Sequence, residues 1–295
     1  MAARSASARS SAQTIAFQGL PGAYSDLACS QVYPDWTTLP CETFEDAFQA
    51  VAEGRAALAM IPIENSVAGR VADVHHLMPA SGLHIIAEHF QRIHHQLLGP
   101  KGATLKGVKT VRSHVHALSQ CRKLVRALGA KAVVHADTAG AAAEVAALGD
   151  PSVAAIASSL AAKHYGLDIL KSNIEDAEHN TTRFLVLARA AGDPDPKRGM
   201  VMTSIVFRVR NVPAALYKAM GGFATNGINL TKLESYMLGG RFSATQFYAD
   251  CEGHPQERGL RLALEELGFF SRELKILGVY PAHPFRSRAE AAADE

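Results

Sequence analysis

The feature that most constrains the fold is an alternation of short apolar runs and longer helical patterns across residues 14 to about 190. "TIAF" is followed by "AYSDLACSQVY", "VKTVRS" by "VHALSQCRKLVRALG", and "KAVVHA" by "TAGAAAEVAALG". In "FEDAFQAV" the apolar residues Phe44, Ala47, Phe48 and Val51 recur at the spacing of a helix face. Repeated β–α alternation predicts mostly parallel sheets covered by helices, and such sheets bind small molecules at the carboxyl ends of their strands.

A different pattern begins after residues 191–202, a predicted linker that contains glycine, prolines and charged residues. Over residues 203–281 the predicted order is strand, helix, strand, strand, helix, strand, which is the ferredoxin-like arrangement. We therefore expect an α/β protein in which residues 14–190 form one domain and residues 203–281 a second. Residues 1–13, which are rich in Ala, Arg and Ser and contain no acid, are expected to be a disordered extension, with an organelle-targeting segment as the alternative; residues 282–295 are expected to be a tail.

The composition argues against several classes of protein. Of the 295 residues, 48% are hydrophobic and 20% charged, which is typical of a soluble globular protein. The net charge of +2 gives no reason to propose nucleic acid or a membrane surface as a partner, and no apolar run approaches the roughly 20 residues of a membrane helix. Four cysteines lie far apart without a CxxC pair, which favours free thiols and a cytoplasmic protein. The thirteen histidines form no HExxH pattern and have no cysteine partner, so no metal site is expected.

Three polar segments stand at apparent strand boundaries of the first region: residues 64–66 after "ALAMIPI", residues 113–114 after "VKTVR", and residues 181–183 before "FLVLA". Because each lies at the end of a predicted strand, we expect them to converge on one cleft between two α/β lobes. Each also has a structural interpretation: Ser66 and Ser113 as helix N-caps, and Arg183 as a surface charge. The segments comprise Glu64, Asn65, Ser66, Ser113, His114, Thr181, Thr182 and Arg183.

Together the motifs resemble, in order, those of prephenate dehydratase: "IAFQGLPGAYSDLA", "IPIENSVAGRV", "IHHQLLG", "SHVHALSQC", "DTAGAA" and "NTTRFLVL". The resemblance extends from about residue 14 to 281, and the second region resembles the ACT regulatory domain of that family. It implies a catalytic domain of two lobes, similar to type 2 periplasmic binding proteins, with the active site in the cleft between them. It also implies conversion of prephenate to phenylpyruvate, with loss of water and carbon dioxide and with no metal or organic cofactor.

The resemblance also assigns roles to the polar residues. The implied catalytic residues are Thr182, Arg183, Phe184 and Glu64, and the implied substrate-binding residues are Asn65, Ser66, Ser113, His114 and Thr181. Thr182 is expected to donate a hydrogen bond to the departing hydroxyl, and Arg183 to hold a carboxylate of the substrate. Glu64 is a competing proton donor, because its pKa would rise near a dianion. Its alternative role is to orient Asn65 or Arg183.

Some positions depart from the family pattern. "SHVHALSQC" has Val115 and His116 where the family has proline and glutamine, and Val115 is still expected to open a helix. In the second region "AALY" at residues 214–217 corresponds to Gly-Ala-Leu-Val, and "ESYM" at residues 234–237 to Glu-Ser-Arg-Pro. We still expect phenylalanine to bind as an effector at an ACT–ACT interface of a homodimer or homotetramer. The residues expected near it are Ala214, Leu216, Asn229, Leu230, Glu234 and Ser235.

Two alternative functions stay open at this point. Arogenate dehydratase performs the same elimination on a substrate that carries an amine in place of the keto group of prephenate. A non-catalytic amino-acid sensor is the second alternative, and the retained residues 64–66 and 182–184 argue against it.

Overall fold

The structure is a computed structural model that describes residues 11–177, 179–237 and 244–287. Most of the predicted N-terminal extension and the last part of the predicted tail therefore lie outside the described residues. By its internal contacts the chain divides into two compact units, Met1–Val71 with His89–Phe184, and Ala72–Glu88 with Leu185–Glu295. Residues 72–88 thus group with the second unit although they lie within the first predicted domain. The linear domain boundaries stay a prediction.

In chain order the described strands are β1 (Thr14–Gln18), β2 (Thr37–Cys41), β3 (Leu58–Asn65), β4 (Gly69–Arg70), β5 (His84–Arg92), β6 (Gln96–Gly99), β7 (Thr110–Ser113), β8 (Lys131–Val134), β9 (Val153–Ala157), β10 (Asp168–Lys171), β11 (Thr181–Ala188), β12 (Val201–Val209), β13 (Leu230–Met237), β14 (Ala244–Glu252) and β15 (Ser271–Pro281). The described α-helices are α1 (Tyr24–Val32), α2 (Phe44–Ala52), α3 (Ala72–Leu77), α4 (Val115–Gln120), α5 (Arg122–Ala127), α6 (Thr138–Leu148), α7 (Ser159–Tyr165), α8 (Ala215–Thr225) and α9 (Arg258–Phe270).

The first lobe of unit one is built on β1, which pairs in parallel with β2 and β3. Helix α2 begins with a capping box, in which the Thr43 side chain accepts from the Asp46 backbone N–H and Asp46 accepts from the Thr43 backbone. Its predicted apolar face is confirmed, since Ala47, Phe48 and Val51 are buried. At its carboxyl end β3 turns back into the two-residue strand β4, which it pairs antiparallel. This turn is where residues 64–66 lie.

The second lobe of unit one is a five-stranded sheet in the order β10-β6-β9-β7-β8. Strand β7 pairs in parallel with β8 and β9, whereas β6 and β10 run antiparallel to their neighbours. Helix α6 begins where Asp137 accepts from the Gly140 N–H at 2.6 Å, and it ends at Gly149, whose φ of 62° only glycine adopts readily. The predicted α/β lobes are therefore confirmed. The predicted parallel pairing holds for β1 with β2 and β3 and for β7 with β8 and β9, whereas β4, β6 and β10 pair antiparallel.

Unit two contains the predicted βαββαβ order, formed by β12, α8, β13, β14, α9 and β15. Its four strands are antiparallel in the order β13-β14-β12-β15, and the ferredoxin-like arrangement is confirmed. Helices α8 and α9 bury Phe223 and Leu260 against a core that includes Phe207 and Phe247. On the other face of the sheet, Tyr248 of β14 contacts the His75 ring of α3, with 5.1 Å between the ring centroids.

Regular structure and side-chain contacts in unit two extend beyond residues 203–281 at both ends. Strand β12 begins at Val201, inside the predicted linker, because its first residues pair with Tyr280 and Pro281 of β15. Part of the predicted tail is held in place, since the Arg286 guanidinium pairs with both carboxylate oxygens of buried Glu88 at 2.6 and 2.8 Å. A bidentate arginine–carboxylate pair of this kind strongly restricts both side chains.

Ala214, where the family motif has glycine, precedes α8 with a φ of 58°. In this left-handed conformation the Cβ atom of an L-residue is crowded against its own backbone, whereas glycine has no Cβ atom. The methyl group of Ala214 therefore introduces backbone strain at a position where the family motif has glycine.

We expect Ala214→Gly to raise the free energy of unfolding by about 1 kcal/mol, because glycine adopts the left-handed conformation without this crowding. Ala224→Gly is the matched control: Ala224 is exposed and helical, so glycine there should lower stability by about 0.5–1 kcal/mol. Chemical unfolding of both variants measures the difference. Destabilisation by both substitutions would contradict the strain at Ala214.

Candidate active site

The ends of two strands bring Asn65 and Thr182 together. The Asn65 side-chain amide donates to the Thr182 hydroxyl oxygen at 2.9 Å and to the Asn180 side-chain oxygen at 2.8 Å. The Asn65 side-chain oxygen accepts from the backbone N–H groups of Val67 and Ala68 at 2.9 and 2.8 Å. Because a backbone N–H can only donate, these two bonds fix which end of the amide faces Thr182. The Thr182 oxygen is therefore an acceptor in this contact, and its hydroxyl hydrogen can be donated to another group.

Ser66 connects the β3–β4 turn to the start of β11. Its backbone N–H donates to the Thr181 carbonyl at 2.9 Å, and its hydroxyl accepts from the Thr181 N–H at 3.0 Å. The same hydroxyl donates to the His179 carbonyl at 2.6 Å. The interpretation of Ser66 as a helix N-cap is wrong, because the short strand β4 and not a helix follows it. Ser66 instead keeps Thr181 and Thr182 beside Asn65.

Arg183 lies in the interior and is paired with Glu64. Its side chain is 3% exposed, and its Nη1 atom is 3.0 Å from Glu64 Oε1. Its guanidinium carbon also lies 5.9 Å from the centroid of the Phe90 ring, within the range of a cation–π contact. The surface-charge interpretation of Arg183 is therefore wrong, and the orienting partnership of Glu64 with Arg183 is confirmed as a contact. Phe184 is also buried, so its side chain packs in the core.

In the second lobe, Ser113 and His114 follow β7. The Ser113 hydroxyl is fully buried and donates to the Ile156 carbonyl at 2.6 Å, which ties β7 to β9. The residue that caps α4 is His114, whose ring Nδ1 accepts from the His116 N–H, so the N-cap interpretation of Ser113 is wrong. Burial, assisted by the neighbouring His116, lowers the pKa of His114. The expectation that α4 opens at Val115 is confirmed.

The contact between the two lobes at this place comes from a residue that the sequence analysis did not select. Gln120, the last residue of α4, accepts from the Asn180 side chain at 3.0 Å and lies 2.7 Å from the His95 ring. Among the described residues no hydrogen bond joins Ser113 or His114 directly to Thr182. Asn180 directly precedes the threonines and Gln120 ends the "VHALSQ" helix. Their positions within these motifs were the one sequence feature that could have pointed to this contact. Periodicity carries no information about such side-chain pairs.

Within the described ranges, no group of three or more His, Cys, Asp and Glu side chains is placed to hold a metal ion. No helix in the same part of the chain is long and apolar enough to cross a membrane. All four cysteines are buried free thiols.

Comparisons with known proteins agree with these features. The family model described as prephenate dehydratase matches residues 15–192. A bifunctional N-acyl-homoserine lactone acylase/prephenate dehydratase of Komagataeibacter europaeus is 55% identical over 93% of this chain and 98% of its own length. Arogenate dehydratase/prephenate dehydratase 1, a chloroplast protein of Arabidopsis thaliana, is 41% identical over 90% of this chain and 71% of its own length.

A solved structure gives the same result. Prephenate dehydratase from Arthrobacter aurescens, in complex with L-Phe, superposes with a TM-score of 0.83 at 30% identity, covering 95% of this chain and 98% of that one. A two-lobed α/β unit joined to a βαββαβ unit is thus the organisation of a carbon–oxygen lyase. The chain belongs to the prephenate dehydratase family, and it is a hydro-lyase.

We expect Asn65→Asp to lower the free energy of unfolding by about 2 kcal/mol although the two side chains have the same shape. The aspartate can still accept from Val67 and Ala68, but its second oxygen would face the Asn180 oxygen without a hydrogen between them. Asn211→Asp, at an exposed loop position, is the control and should change stability by less than about 0.5 kcal/mol. Equal stability of both variants in chemical unfolding would show that the assigned amide orientation is wrong.

Proposed function

We propose that this chain converts prephenate to phenylpyruvate and that Thr182 assists the departure of the ring hydroxyl. The observation that carries the proposal is the directional contact in which Asn65 donates to the Thr182 oxygen. A threonine oriented in this way has its own hydrogen available for a substrate. The proposal also rests on the family membership of the chain.

The reaction requires stabilisation of charge at one oxygen atom. As the carbon–carbon bond to the ring carboxylate breaks, its electron pair moves into the ring, carbon dioxide leaves, and the carbon–oxygen bond to the hydroxyl breaks. The departing hydroxide takes up one proton, which comes from solvent, and leaves as water, so the ring becomes aromatic without an oxidant. A hydrogen bond from Thr182 would strengthen as negative charge develops on that oxygen. Because Thr182 carries no charge, it does not repel a substrate with two carboxylates.

Glu64 and Arg183 are assigned a supporting role. An ion pair with the buried guanidinium favours the carboxylate form of Glu64, which is not a proton donor. The pair also combines one negative and one positive charge beside Thr182, so it adds little net repulsion toward a dianion. In the second lobe, His114 accepts at Nδ1 and burial lowers its pKa, so its neutral ring would carry a proton on Nε2. That N–H is the donor we assign to a substrate carboxylate.

Two other activities belong in the same test. Arogenate differs from prephenate at one polar group, and the Arabidopsis relative is named for both substrates. The Komagataeibacter relative, at 55% identity, is named as an N-acyl-homoserine lactone acylase as well. Lactone acylase activity is therefore our second candidate function.

The first test measures turnover of prephenate, arogenate and an N-acyl-homoserine lactone by the purified protein. We expect prephenate to have the highest kcat/KM. Thr182→Val should lower kcat by about 10²–10³-fold, as removal of one donor to a developing oxyanion does in other enzymes. Thr182→Ser keeps the hydroxyl and is the matched control, with a loss below about tenfold.

Glu64→Gln separates the two candidate donors in the same assay, and we expect it to retain most of the wild-type kcat. A loss equal to that of Thr182→Val would transfer proton donation to Glu64. Turnover of arogenate alone would overturn the choice of substrate. Hydrolysis of the amide bond of the N-acyl-homoserine lactone, without turnover of prephenate or arogenate, would replace the proposed function with the second candidate.

We further propose that the βαββαβ unit is an ACT domain that binds phenylalanine between two copies of the chain, and that the enzyme acts in the cytoplasm. The solved relative bound to L-Phe supports the choice of ligand. The six residues proposed near phenylalanine lie in two segments, at the start of α8 and along β13 and the residue before it. Asn229 donates to Glu252 at 3.0 Å and Glu234 accepts from Lys232 at 3.2 Å, whereas Ser235 is exposed.

The edge of the second sheet supports pairing with a second copy. Strand β13 ends the sheet order in this unit, and its Leu233 and Met237 side chains are 44% and 52% exposed. On the neighbouring helix α8, Tyr217 is 82% exposed. An edge strand with exposed apolar side chains favours association with another chain. In a homodimer, or in a homotetramer built from such dimers, a second copy of the chain would cover β13 and its exposed apolar side chains.

We expect Leu233→Lys to weaken self-association, because it places a charge on the proposed interface, and to lower phenylalanine affinity with it. Sedimentation velocity measures the first effect and calorimetry with phenylalanine the second. Leu148→Lys, at a 52% exposed leucine of unit one, is the matched control and should change neither. Phenylalanine binding that stays at wild-type affinity in a monomeric Leu233→Lys protein would overturn the interface site.

A further inference from the structure

A chain of hydrogen bonds extends from Thr182 to residues far from it in sequence, and its polarity can be followed atom by atom. The starting point is the Asn65 oxygen, which accepts from two backbone N–H groups. The Asn65 nitrogen therefore donates to Asn180, which makes the facing Asn180 atom its oxygen. The Asn180 nitrogen must then be the atom that donates to Gln120 at 3.0 Å, which makes the facing Gln120 atom its oxygen.

This polarity determines which nitrogen of His95 carries the proton. The His95 Nε2 atom lies 2.7 Å from the same Gln120 oxygen, so it must carry a hydrogen to donate. The other ring nitrogen, Nδ1, lies 2.7 Å from the Tyr24 hydroxyl. Burial is the largest influence on His95 and lowers its pKa, and nearby His94 acts in the same direction. A neutral ring with a proton on Nε2 accepts at Nδ1, so the Tyr24 hydroxyl is the donor there.

Two features of the surroundings keep this arrangement in place. Burial also raises the pKa of Tyr24 well above its usual range, so the phenol keeps the proton that it donates. The Glu175 carboxylate accepts from the His95 backbone N–H at 2.9 Å, and it favours a protonated ring less strongly than burial opposes it. The His95 carbonyl accepts from the Ile174 N–H at 3.0 Å, so the backbone of His95 is bonded on both sides.

The Gln120 oxygen is the point where three segments meet. His95 lies between β5 and β6, on one connection between the two lobes of unit one, and Asn180 lies before β11, on the other. Gln120 belongs to the second lobe, at the end of α4. One amide oxygen has two lone pairs, and these two donors use both of them. Because the Gln120 side chain accepts from both His95 and Asn180, it restricts the positions of both connections more than one contact alone would.

We propose that His95 is a positioning residue of the dehydratase site: in its Nε2–H form it shares the Gln120 oxygen with Asn180 and so holds Asn180, Asn65 and Thr182 in register. This proposal rests on the function proposed above. His95 does not contact Thr182, so it affects the rate only through the geometry of the intervening amides. Small displacements of a group that stabilises a developing charge lower kcat more than they change substrate binding.

Two substitutions of His95 separate the two ring nitrogens. The amide nitrogen of glutamine reaches the position of Nε2, whereas that of asparagine reaches the position of Nδ1. We expect His95→Gln to keep the donor to Gln120 and to retain kcat within about threefold of wild type. His95→Asn should lower kcat by about tenfold, the effect of one lost buried hydrogen bond, with KM changed by less than about twofold. Equal kcat values for the two variants, measured with prephenate, would overturn the proposal.

A spectroscopic measurement tests the ring without any substrate. Two-bond ¹⁵N–¹H correlation spectra of the wild-type protein, with the His95 signals identified from the His95→Gln variant, report which ring nitrogen is protonated. We expect a protonated Nε2 and an unprotonated Nδ1 at neutral pH. A protonated Nδ1, alone or together with Nε2, would overturn the proposal whatever the activities are.

Tyr24→Phe keeps the proposal testable if His95→Asn does not fold. It removes the donor to Nδ1 and leaves the Gln120 oxygen in place, so we expect Nε2 to stay protonated and kcat to stay within about threefold of wild type. A proton on Nδ1 in place of Nε2 in this variant would overturn the proposal, because the Gln120 oxygen would then not determine which ring nitrogen is protonated. If the wild-type protein converts neither prephenate nor arogenate, the proposed function is refuted. The spectra of the wild-type protein test the protonation of His95 separately from that result.

Discussion

The candidate site depends on the orientation of one amide group. Asn65 lies where β3 turns into β4, and the turn directs two backbone N–H groups at its side-chain oxygen. This leaves the nitrogen to donate to Thr182 and Asn180. Local backbone geometry thus determines the polarity of hydrogen bonds that cross to the second lobe. Connected hydrogen bonds between neutral groups are more restrictive than isolated contacts, because turning one amide around would bring two donors or two acceptors together at the next contact.

The charged groups near Thr182 are paired with each other. A buried arginine is tolerated only with a partner, and Glu64 supplies a carboxylate at 3.0 Å from Nη1. Phe90 supports the flat face of the guanidinium. The Thr182 hydroxyl, which accepts from Asn65, is neutral, and the ion pair of the adjacent Arg183 with Glu64 has no net charge. This arrangement suits a substrate with two carboxylates, for which a lone acid at the same place would be repulsive.

Much of the fold could be predicted from the sequence because it depends on periodicity. The helix face of Phe48 and Val51 and the βαββαβ order both repeat at spacings that local patterns reveal. The site was predicted less completely. Asn65 and Thr182 stood in recognisable motifs, but the burial of Arg183 and the use of the Ser113 hydroxyl inside its own lobe depend on tertiary packing. Gln120 illustrates the limit, because its partner Asn180 is separated from it by 60 positions along the chain.

The assignment of residues 72–88 to the second unit bears on the proposed regulation by phenylalanine. Arg70 pairs with Glu64 in the β3–β4 hairpin, and α3 begins at Ala72. From α3 the His75 ring Nδ1 lies 3.0 Å from the Tyr236 hydroxyl of β13, the strand that also carries Glu234 and Ser235. Phenylalanine bound at β13, as proposed, would therefore act on a strand that contacts α3, the helix that follows the β3–β4 turn directly in the chain. By linkage, a substrate that alters this turn must change phenylalanine affinity by the same factor by which phenylalanine changes substrate affinity.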